Sequence, residues 1–155
     1  MSASSDRVTL LVIMTGERTR SALKGILNHS NWVCRYADTF EDGVLELERM
    51  VYGVIVTERQ LSTTQCWTNL LEITRDLPTP PCLVVTERLT DPSVWAEVFS
   101  LGGYDVLTEP FETREVFQVL RTAWLSWSRS RTAPGSRGSA QSSTTGKSSA
   151  TPATR

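Results

Sequence analysis

The chain has 155 residues, of which 39% are hydrophobic and 21% are charged, and its formal net charge is −1. This length predicts one domain with a tail. The longest apolar run, Val8 to Met14, is far shorter than the ~18 residues needed to cross a bilayer, so we expect no membrane segment. The first residues lack the pattern of a secretion signal and the three cysteines are widely spaced, so we expect a cytoplasmic protein. The single histidine, His29, argues against histidine-rich metal sites and Ser/His or Cys/His catalysis.

The charges are distributed unevenly along the chain. Residues 129–155 carry five basic residues and no acidic one, which leaves 11 basic and 17 acidic residues in 1–128, a net charge of −6. After Trp127 there is no Leu, Ile, Val, Met or aromatic residue. Such a segment buries too little apolar surface to offset the entropy lost on ordering. We therefore expect a flexible N-terminus at 1–6, a domain at 7–128 and a disordered basic tail at 129–155.

Strand-like and helix-like patterns alternate through the predicted domain. In chain order, the pattern predicts a strand at 8–14, a helix at 18–28, a strand at 32–37 and a helix at 39–50, with Thr39 and Asp42 as an N-terminal cap. A strand at 53–57, a helix at 64–76 and a strand at 82–86 follow. Asp91-Pro92 opens and Gly102-Gly103 closes a fourth helix. A strand at 105–108 and a helix at 112–128 complete the pattern.

Five strands alternating with five helices indicate an α/β fold, a doubly wound five-stranded parallel sheet of the flavodoxin-like type. In such sheets, ligands bind beyond the carboxyl ends of the strands. The candidate site residues therefore lie in four segments: Met14–Gly16, Thr57–Arg59, Thr86–Arg88 and Thr108–Pro110. No GxGxxG motif follows the first strand, so nothing supports a dinucleotide site.

Three stretches carry a resemblance to a known family. They are residues 52–58 (YGVIVTE), 81–86 (PCLVVT) and 102–111 (GGYDVLTEPF), of which the last is similar to the family's GADDYLTKPF segment. With the (βα)5 order, they resemble the receiver domain of bacterial response regulators, the CheY-like fold, over about Arg7 to Arg129. The resemblance implies a role in two-component (phosphorelay) signal transduction.

The resemblance also implies a chemistry that these residues do not support. Receivers transfer a phosphoryl group to an aspartate, using an acidic pair that helps to hold Mg²⁺. Here the acidic-pair positions are Met14 and Thr15, and the phosphoacceptor position is Glu58. We therefore expect no bound Mg²⁺ or other cofactor, no metal site, no catalytic residue and no enzymatic activity.

The remaining receiver positions are partly retained. Thr86 matches the switch hydroxyl after the fourth strand, but the usually small residue that follows it is Glu87. The family's Lys-Pro pair is Glu109-Pro110, for which the resemblance implies a cis peptide bond. These departures are similar to those of degenerate receivers, the pseudo-receivers.

The sequence places three carboxylates at strand ends, namely Glu58, Glu87 and Glu109, with neither a cation nor a lysine on which they could converge. Two carboxylates about 4 Å apart repel by a few kcal/mol at an effective dielectric of about 20. The repulsion could be relieved by outward rotation, by a raised carboxyl pKa or by pairing with an arginine. The candidate arginines are Arg18, Arg59 and Arg88. Glu58 could be a mimic of phosphoaspartate or a solvated acid left where catalysis was lost.

The last two helices carry an unusual number of large apolar residues. Tryptophan is enriched at protein–protein interfaces, and the resemblance places the family's output face on the fourth and fifth helices. We therefore expect Trp95, Val119 and Trp127 to bind a protein partner or a second copy of the chain. Alternatively, the tryptophans cover the edge of the core.

The sequence predicts a stand-alone pseudo-receiver that acts as a phosphorylation-independent protein-interaction module. Two alternatives remain: an atypical receiver phosphorylated at Glu58, and weak nucleic-acid association through the basic tail. The second would be non-specific and salt-dependent, because the tail is sparsely charged and the domain is acidic. We therefore do not expect nucleic acid to be the main partner.

Overall fold

The structure is a computed structural model that describes residues 7–88 and 92–132. Strands and helices alternate throughout these ranges. They are β1 (Thr9–Ile13), α1 (Glu17–Leu27), β2 (Val33–Ala37), α2 (Phe40–Arg49), β3 (Val54–Glu58), α3 (Trp67–Arg75), β4 (Cys82–Glu87), α4 (Pro92–Leu101), β5 (Asp105–Thr108) and α5 (Thr113–Thr132). The predicted (βα)5 order is confirmed.

The five strands form one parallel sheet in the order β2-β1-β3-β4-β5. The chain moves outward from β1 in one direction to β2 and in the other direction to β3, β4 and β5. The switch point is therefore between β1 and β3, where Ile13 lies beside Thr57 near the carboxyl ends of both strands. Loops that diverge at a switch point leave a crevice above the sheet.

Each face of the sheet has its own apolar core, since neighbouring residues of a strand point to opposite faces. Leu10 and Val12 of β1 pack on one face with α1 and α5. Leu11 and Ile13 pack on the other face with α2, α3 and α4. Because both faces are covered, the inner strands β1, β3 and β4 are nearly continuous apolar runs, as is typical of parallel sheets. None of the described helices is long and apolar enough to cross a membrane.

Helix α2 begins as predicted, whereas α3 begins three residues later than predicted. The Thr39 hydroxyl accepts a hydrogen bond from the Asp42 amide at 3.0 Å and caps α2. Before α3, the Ser62 hydroxyl accepts hydrogen bonds from the amides of Thr64 and Gln65 at 3.2 and 3.1 Å. These bonds hold the amides in a turn, because short polar side chains compete with helical bonding.

Helix α5 extends beyond the predicted domain boundary at residue 128, to Thr132. The Arg131 guanidinium lies over the Trp127 ring, 4.9 Å from its centroid. Basic residues in a last turn also interact favourably with the helix dipole. Residues 129–132 are therefore helical rather than part of a tail. The predicted flexible N-terminus at 1–6 and the rest of the predicted tail lie outside the described residues.

The structure places Trp127 in the core rather than on the predicted interaction face. Only 5% of its surface is exposed, and its indole N–H donates to the Thr79 carbonyl at 3.3 Å. The ring packs 4.9 Å from that of Trp124. Both rings lie over Gly53, where a Cβ atom would approach Trp124 to 2.5 Å and Trp127 to 2.7 Å. The missing side chain of Gly53 is thus what lets α5 bury both indoles.

Two helical glycines provide a matched test of this packing. A Cβ atom at Gly25 would meet nothing within 4 Å, whereas one at Gly43 would lie 2.4 Å from Ile13 Cδ1 in the core. We expect Gly25→Ala to raise the free energy of unfolding by about 0.5–1 kcal/mol through reduced chain entropy. We expect Gly43→Ala to lower it, because overpacking a core costs about 1–3 kcal/mol. Urea denaturation of both variants checks this, and a shift of the same sign in both would contradict the described packing.

Candidate functional site

A cavity of about 490 Å³ lies beyond the carboxyl ends of the strands. The predicted site residues Glu58, Thr86, Glu87 and Glu109 all line it. Its other lining residues are Thr19, Arg59, Gln60, Cys66, Trp67, Arg88 and Glu97. The crevice is therefore where the strand order predicts it, and it is rich in carboxylates.

The Glu58 side chain bonds to the loop between β1 and α1. Its Oε1 atom accepts hydrogen bonds from the Thr15 amide at 3.0 Å and from the Thr15 hydroxyl at 2.9 Å. Its Oε2 atom accepts one from the Gly16 amide at 3.2 Å. Sequence reasoning missed this arrangement, which is neither an outward rotation nor an arginine pair. The signals that could have revealed it are the extra methylene of glutamate and the hydroxyl at position 15.

These three donors suit a carboxylate well. Gly16 is the N-cap of α1, where backbone N–H groups and the helix dipole favour negative charge. Its lack of a side chain also matters, because a Cβ atom there would lie 3.1 Å from Glu58 Oε2. Met14 is fully buried and apolar, so it supplies no oxygen to the site. At the two acidic-pair positions, one side chain is thus apolar and the other donates to Glu58.

Thr86 lies next to Glu58 in the sheet but is not joined to it. The two residues are Cα partners in the β3–β4 ladder, and Thr86 is 4% exposed. Among the hydrogen bonds of the described residues, none connects the Thr86 hydroxyl with the Glu58 carboxylate; the bonds of Glu58 lead to Thr15 and Gly16. The contact expected of a phosphoaspartate mimic is therefore not formed.

Two further carboxylates follow β4 and β5. The Glu109 amide donates to the Glu87 carbonyl at 2.8 Å, which holds the two strand ends together. Both side chains line the cavity. The Glu109–Pro110 peptide bond is cis, as the resemblance implied. The position that the resemblance assigns to a lysine thus carries a carboxyl group.

An ion pair closes one side of the cavity. Arg59 donates to Glu97 Oε1 at 2.6 Å, and the Trp67 indole N–H donates to Glu97 Oε2 at 3.3 Å. The bond from Arg59 holds the pKa of Glu97 below its usual value, against the opposing effect of partial burial. Glu97 lies on α4 and was not anticipated, because only the fold brings this helix over the end of β3.

The two other predicted interface residues lie on either side of β5. Trp95 on α4 is partly buried, with its ring 5.9 Å from that of Phe99, which is 49% exposed. Val119 on α5 is also partly buried and packs against the core on the opposite face of the sheet. Only these two of the three predicted residues therefore remain accessible to a partner.

The described residues contain no group of three or more His, Cys, Asp or Glu side chains arranged to hold a metal ion. The carboxylates of the cavity differ in their surroundings. Glu58 and Glu97 are bound by donors from the protein itself. Glu87 and Glu109 line the same cavity, and their side chains form no hydrogen bond or ion pair with any residue in 7–88 or 92–132.

Receiver domains of known structure share this architecture. No protein-family model and no curated protein matches the sequence. Among solved structures, the signal receiver domain of an HD domain-containing protein from Pseudomonas fluorescens Pf-5 superposes with a TM-score of 0.72 at 18% identity, covering 81% of this chain and 93% of that chain.

Two further receiver structures match over nearly their whole length. Chemotaxis response regulator CheY4 of Vibrio cholerae gives a TM-score of 0.66 at 13% identity, covering 76% of this chain and 98% of that one. The beryllofluoride-activated NtrC4 receiver domain dimer gives 0.68 at 17% identity, covering 79% and 98%. With its five parallel strands in the order 2-1-3-4-5 and its strand-end crevice, the chain has the CheY-like fold of response-regulator receiver domains.

Proposed function

We propose that this chain is a signalling module of two-component systems that works in the cytoplasm without aspartyl phosphorylation. Its receiver fold supports the link to two-component signalling, since the solved structures that it resembles are receiver domains. The observation that carries the independence from phosphorylation is the position of Glu58, whose carboxylate is held by Thr15 and Gly16.

The chemistry of phosphoryl transfer explains why this observation matters. Transfer requires a cation and a positively charged group to neutralise the transferring phosphoryl oxygens. Here the residue at the lysine position is Glu109, and the oxygens of Glu58 already accept three hydrogen bonds. An incoming phosphoryl donor is itself an anion and would meet further carboxylates. The site therefore favours a fixed state over one that is switched by phosphate.

A module with a fixed state must act through a surface that it always presents. We assign this role to the docking face, defined as Trp95 and Phe99 of α4 and Val119 of α5, which lie on the two sides of the sheet edge formed by β5. Phe99 is 49% exposed, and its ring lies 5.9 Å from that of Trp95, so the two aromatic residues form one apolar surface on α4. The occupant is a protein partner or a second copy, and the NtrC4 receiver structure is itself a dimer.

Acetyl phosphate tests the first half of the proposal. We expect no added phosphoryl mass after incubation of the full chain with acetyl phosphate and Mg²⁺, measured by intact mass spectrometry. CheY4 of Vibrio cholerae, treated in parallel, controls for the reagent. A phosphoryl adduct that disappears in Glu58→Gln would instead make this chain an atypical phosphorylated receiver.

Site-specific photocrosslinking tests the docking face. Phe99 and Leu45 are 49% and 50% exposed, but Leu45 lies on α2, away from the docking face. We expect a photoreactive phenylalanine analogue at position 99 to give a discrete protein adduct in cells, and the same analogue at position 45 to give none. Equal adducts at both positions, or adducts at 45 alone, would remove the docking face from the proposal.

A further inference from the structure

The helices on the two faces of the sheet carry opposite charge. Helices α1 and α5, which cover one face, contain seven basic and two acidic residues, a net charge of +5. Helices α2, α3 and α4, which cover the other face, contain two basic and six acidic residues, a net charge of −4. The fold thus sorts charges that alternate along the sequence into a positive and a negative surface.

The positive charge is most regular along α5. Arg114, Arg121 and Arg129 are exposed and follow one another at intervals of seven and eight residues, so they lie on one side of the helix. We call these three residues the arginine stripe, which is about 22 Å long at a rise of about 1.5 Å per residue. Arg114 and Arg121 form no hydrogen bond or ion pair with any described residue.

The acids of the chain do not cancel this charge locally. Those of the opposite face lie beyond a helix layer about 10 Å thick and the sheet, which exceeds the screening length of about 8 Å at physiological ionic strength. The acid of α5 itself, Glu115, is partly buried in the first turn. From there to the C-terminus, residues 116–155 contain six basic residues and no acidic one. An anion that approaches the second half of α5 therefore meets a positive surface.

The side chains of the stripe identify the class of anion. Arginine pairs with phosphate through two parallel hydrogen bonds, and the exposed amide of Gln118 is a further donor on the same side of α5. Leu125 is the only exposed apolar residue among 113–131, whereas a helix that inserts into a membrane interface presents a whole apolar face. An extended row of phosphates therefore matches this surface better than a lipid bilayer does.

We infer that the arginine stripe binds the phosphate backbone of a nucleic acid. Duplex DNA carries one negative charge per about 1.7 Å of its axis, so a stripe about 22 Å long lies beside several phosphates. The contact has no sequence preference, because phosphate contacts position a protein without reading the bases. The proposed function does not require this contact, which adds to the docking of a protein partner.

Fluorescence anisotropy of the full chain tests the inference. The probes are fluorescein-labelled duplexes of about 20 base pairs, one of DNA and one of RNA with the same sequence, titrated between about 25 and 150 mM NaCl. We expect saturable binding of at least one duplex and a Kd that rises steeply with salt, because binding releases the counterions of the phosphates. The duplex with the lower Kd identifies the source of the phosphate backbone.

Charge-removing variants assign the binding to the stripe. Arg114→Gln and Arg121→Gln should each raise the Kd and lower the slope of log Kd against log salt concentration by about 0.9, the value for one neutralised phosphate of duplex DNA. Arg49→Gln is the matched control, because it removes the same charge from an exposed position of α2 on the opposite face.

A triple variant of the last residues separates the stripe from the end of the chain. Arg137→Gln, Lys147→Gln and Arg155→Gln together remove the basic residues that follow α5. We expect this full-length variant to retain salt-dependent binding that Arg121→Gln still weakens. Complete loss of binding in the triple variant would overturn the inference, because the stripe would then bind no phosphate by itself.

The remaining outcomes are equally decisive. A slope that falls in the stripe variants but not in Arg49→Gln supports the inference. Failure of both duplexes to bind at the lowest salt concentration overturns it, as does an equal change in the stripe and control variants. Tighter binding to phosphatidylserine vesicles than to either duplex, abolished by the stripe variants, also overturns it in favour of a lipid surface. The acetyl phosphate and crosslinking tests concern Glu58 and Phe99, so these proposals can fail independently.

Discussion

Replacing Trp127 with alanine is expected to lower the free energy of unfolding by about 3–5 kcal/mol, the range for removing a large aromatic side chain from a core. The indole is 5% exposed, packs beside Trp124 and donates a hydrogen bond to the Thr79 carbonyl. Its removal leaves a cavity over Gly53, which has no side chain to fill it. Urea denaturation followed by far-ultraviolet circular dichroism measures the loss without depending on tryptophan fluorescence.

Trp95→Ala is the matched control for this variant. Trp95 is only partly buried, on α4, so its truncation should cost clearly less. If Trp127→Ala were no more destabilising than Trp95→Ala, the Trp127 indole would lie at the surface. Trp127 would then be available for the interaction face that the sequence predicts.

Replacing Glu58 with glutamine is expected to lower the free energy of unfolding by about 1.5–3 kcal/mol, the range for hydrogen bonds to a charged group. Glutamine has nearly the same shape, but only one of its two terminal atoms is an acceptor. Its carbonyl oxygen can still meet Thr15, and its NH₂ group then faces the Gly16 amide, which is also a donor. Urea denaturation near neutral pH measures this difference.

The sign of the Glu58→Gln effect separates two accounts of the site. If repulsion among the cavity carboxylates dominated, neutralising any one of them would stabilise the fold. The Glu58 hydrogen bonds predict the opposite for this residue. Glu87→Gln removes a carboxylate of the same cavity that has no hydrogen-bond partner among the described residues, so it should not destabilise. An increase in stability in Glu58→Gln would contradict the described position of its side chain.

The fold was largely predictable because its determinants are local. Apolar runs identify the buried strands, and the segments between them carry helical periodicity and caps such as Thr39. The late start of α3 was not predicted, because the Ser62 hydroxyl holds backbone amides that a helical pattern assigns to the helix. The end of α5 was misplaced because residues 129–132 are polar, and composition alone does not show the contact of Arg131 with Trp127.

The site was predictable in position but not in detail. Strand order alone places Glu58, Thr86, Glu87 and Glu109 at one crevice. The hydrogen bonds of Glu58 depend on the conformation of the loop between β1 and α1, which orients the Thr15 and Gly16 amides. No residue pattern predicts that conformation. Burial of Trp127 likewise depends on Gly53, a residue 74 positions earlier in the chain. Contacts of this kind arise only when distant segments are packed together.

We propose that Glu58 and its neighbours leave the strand-end cavity unable to bind the cation and the phosphoryl group that activate receivers. The most direct measurement is a tryptophan fluorescence titration of the full chain, first with Mg²⁺ and then with beryllofluoride, a phosphoryl mimic. Trp67 lines the cavity and serves as the reporter. We expect no saturable change with either ligand. A saturable, Mg²⁺-dependent change would contradict the claim, because it would show that other oxygens replace the missing acidic pair.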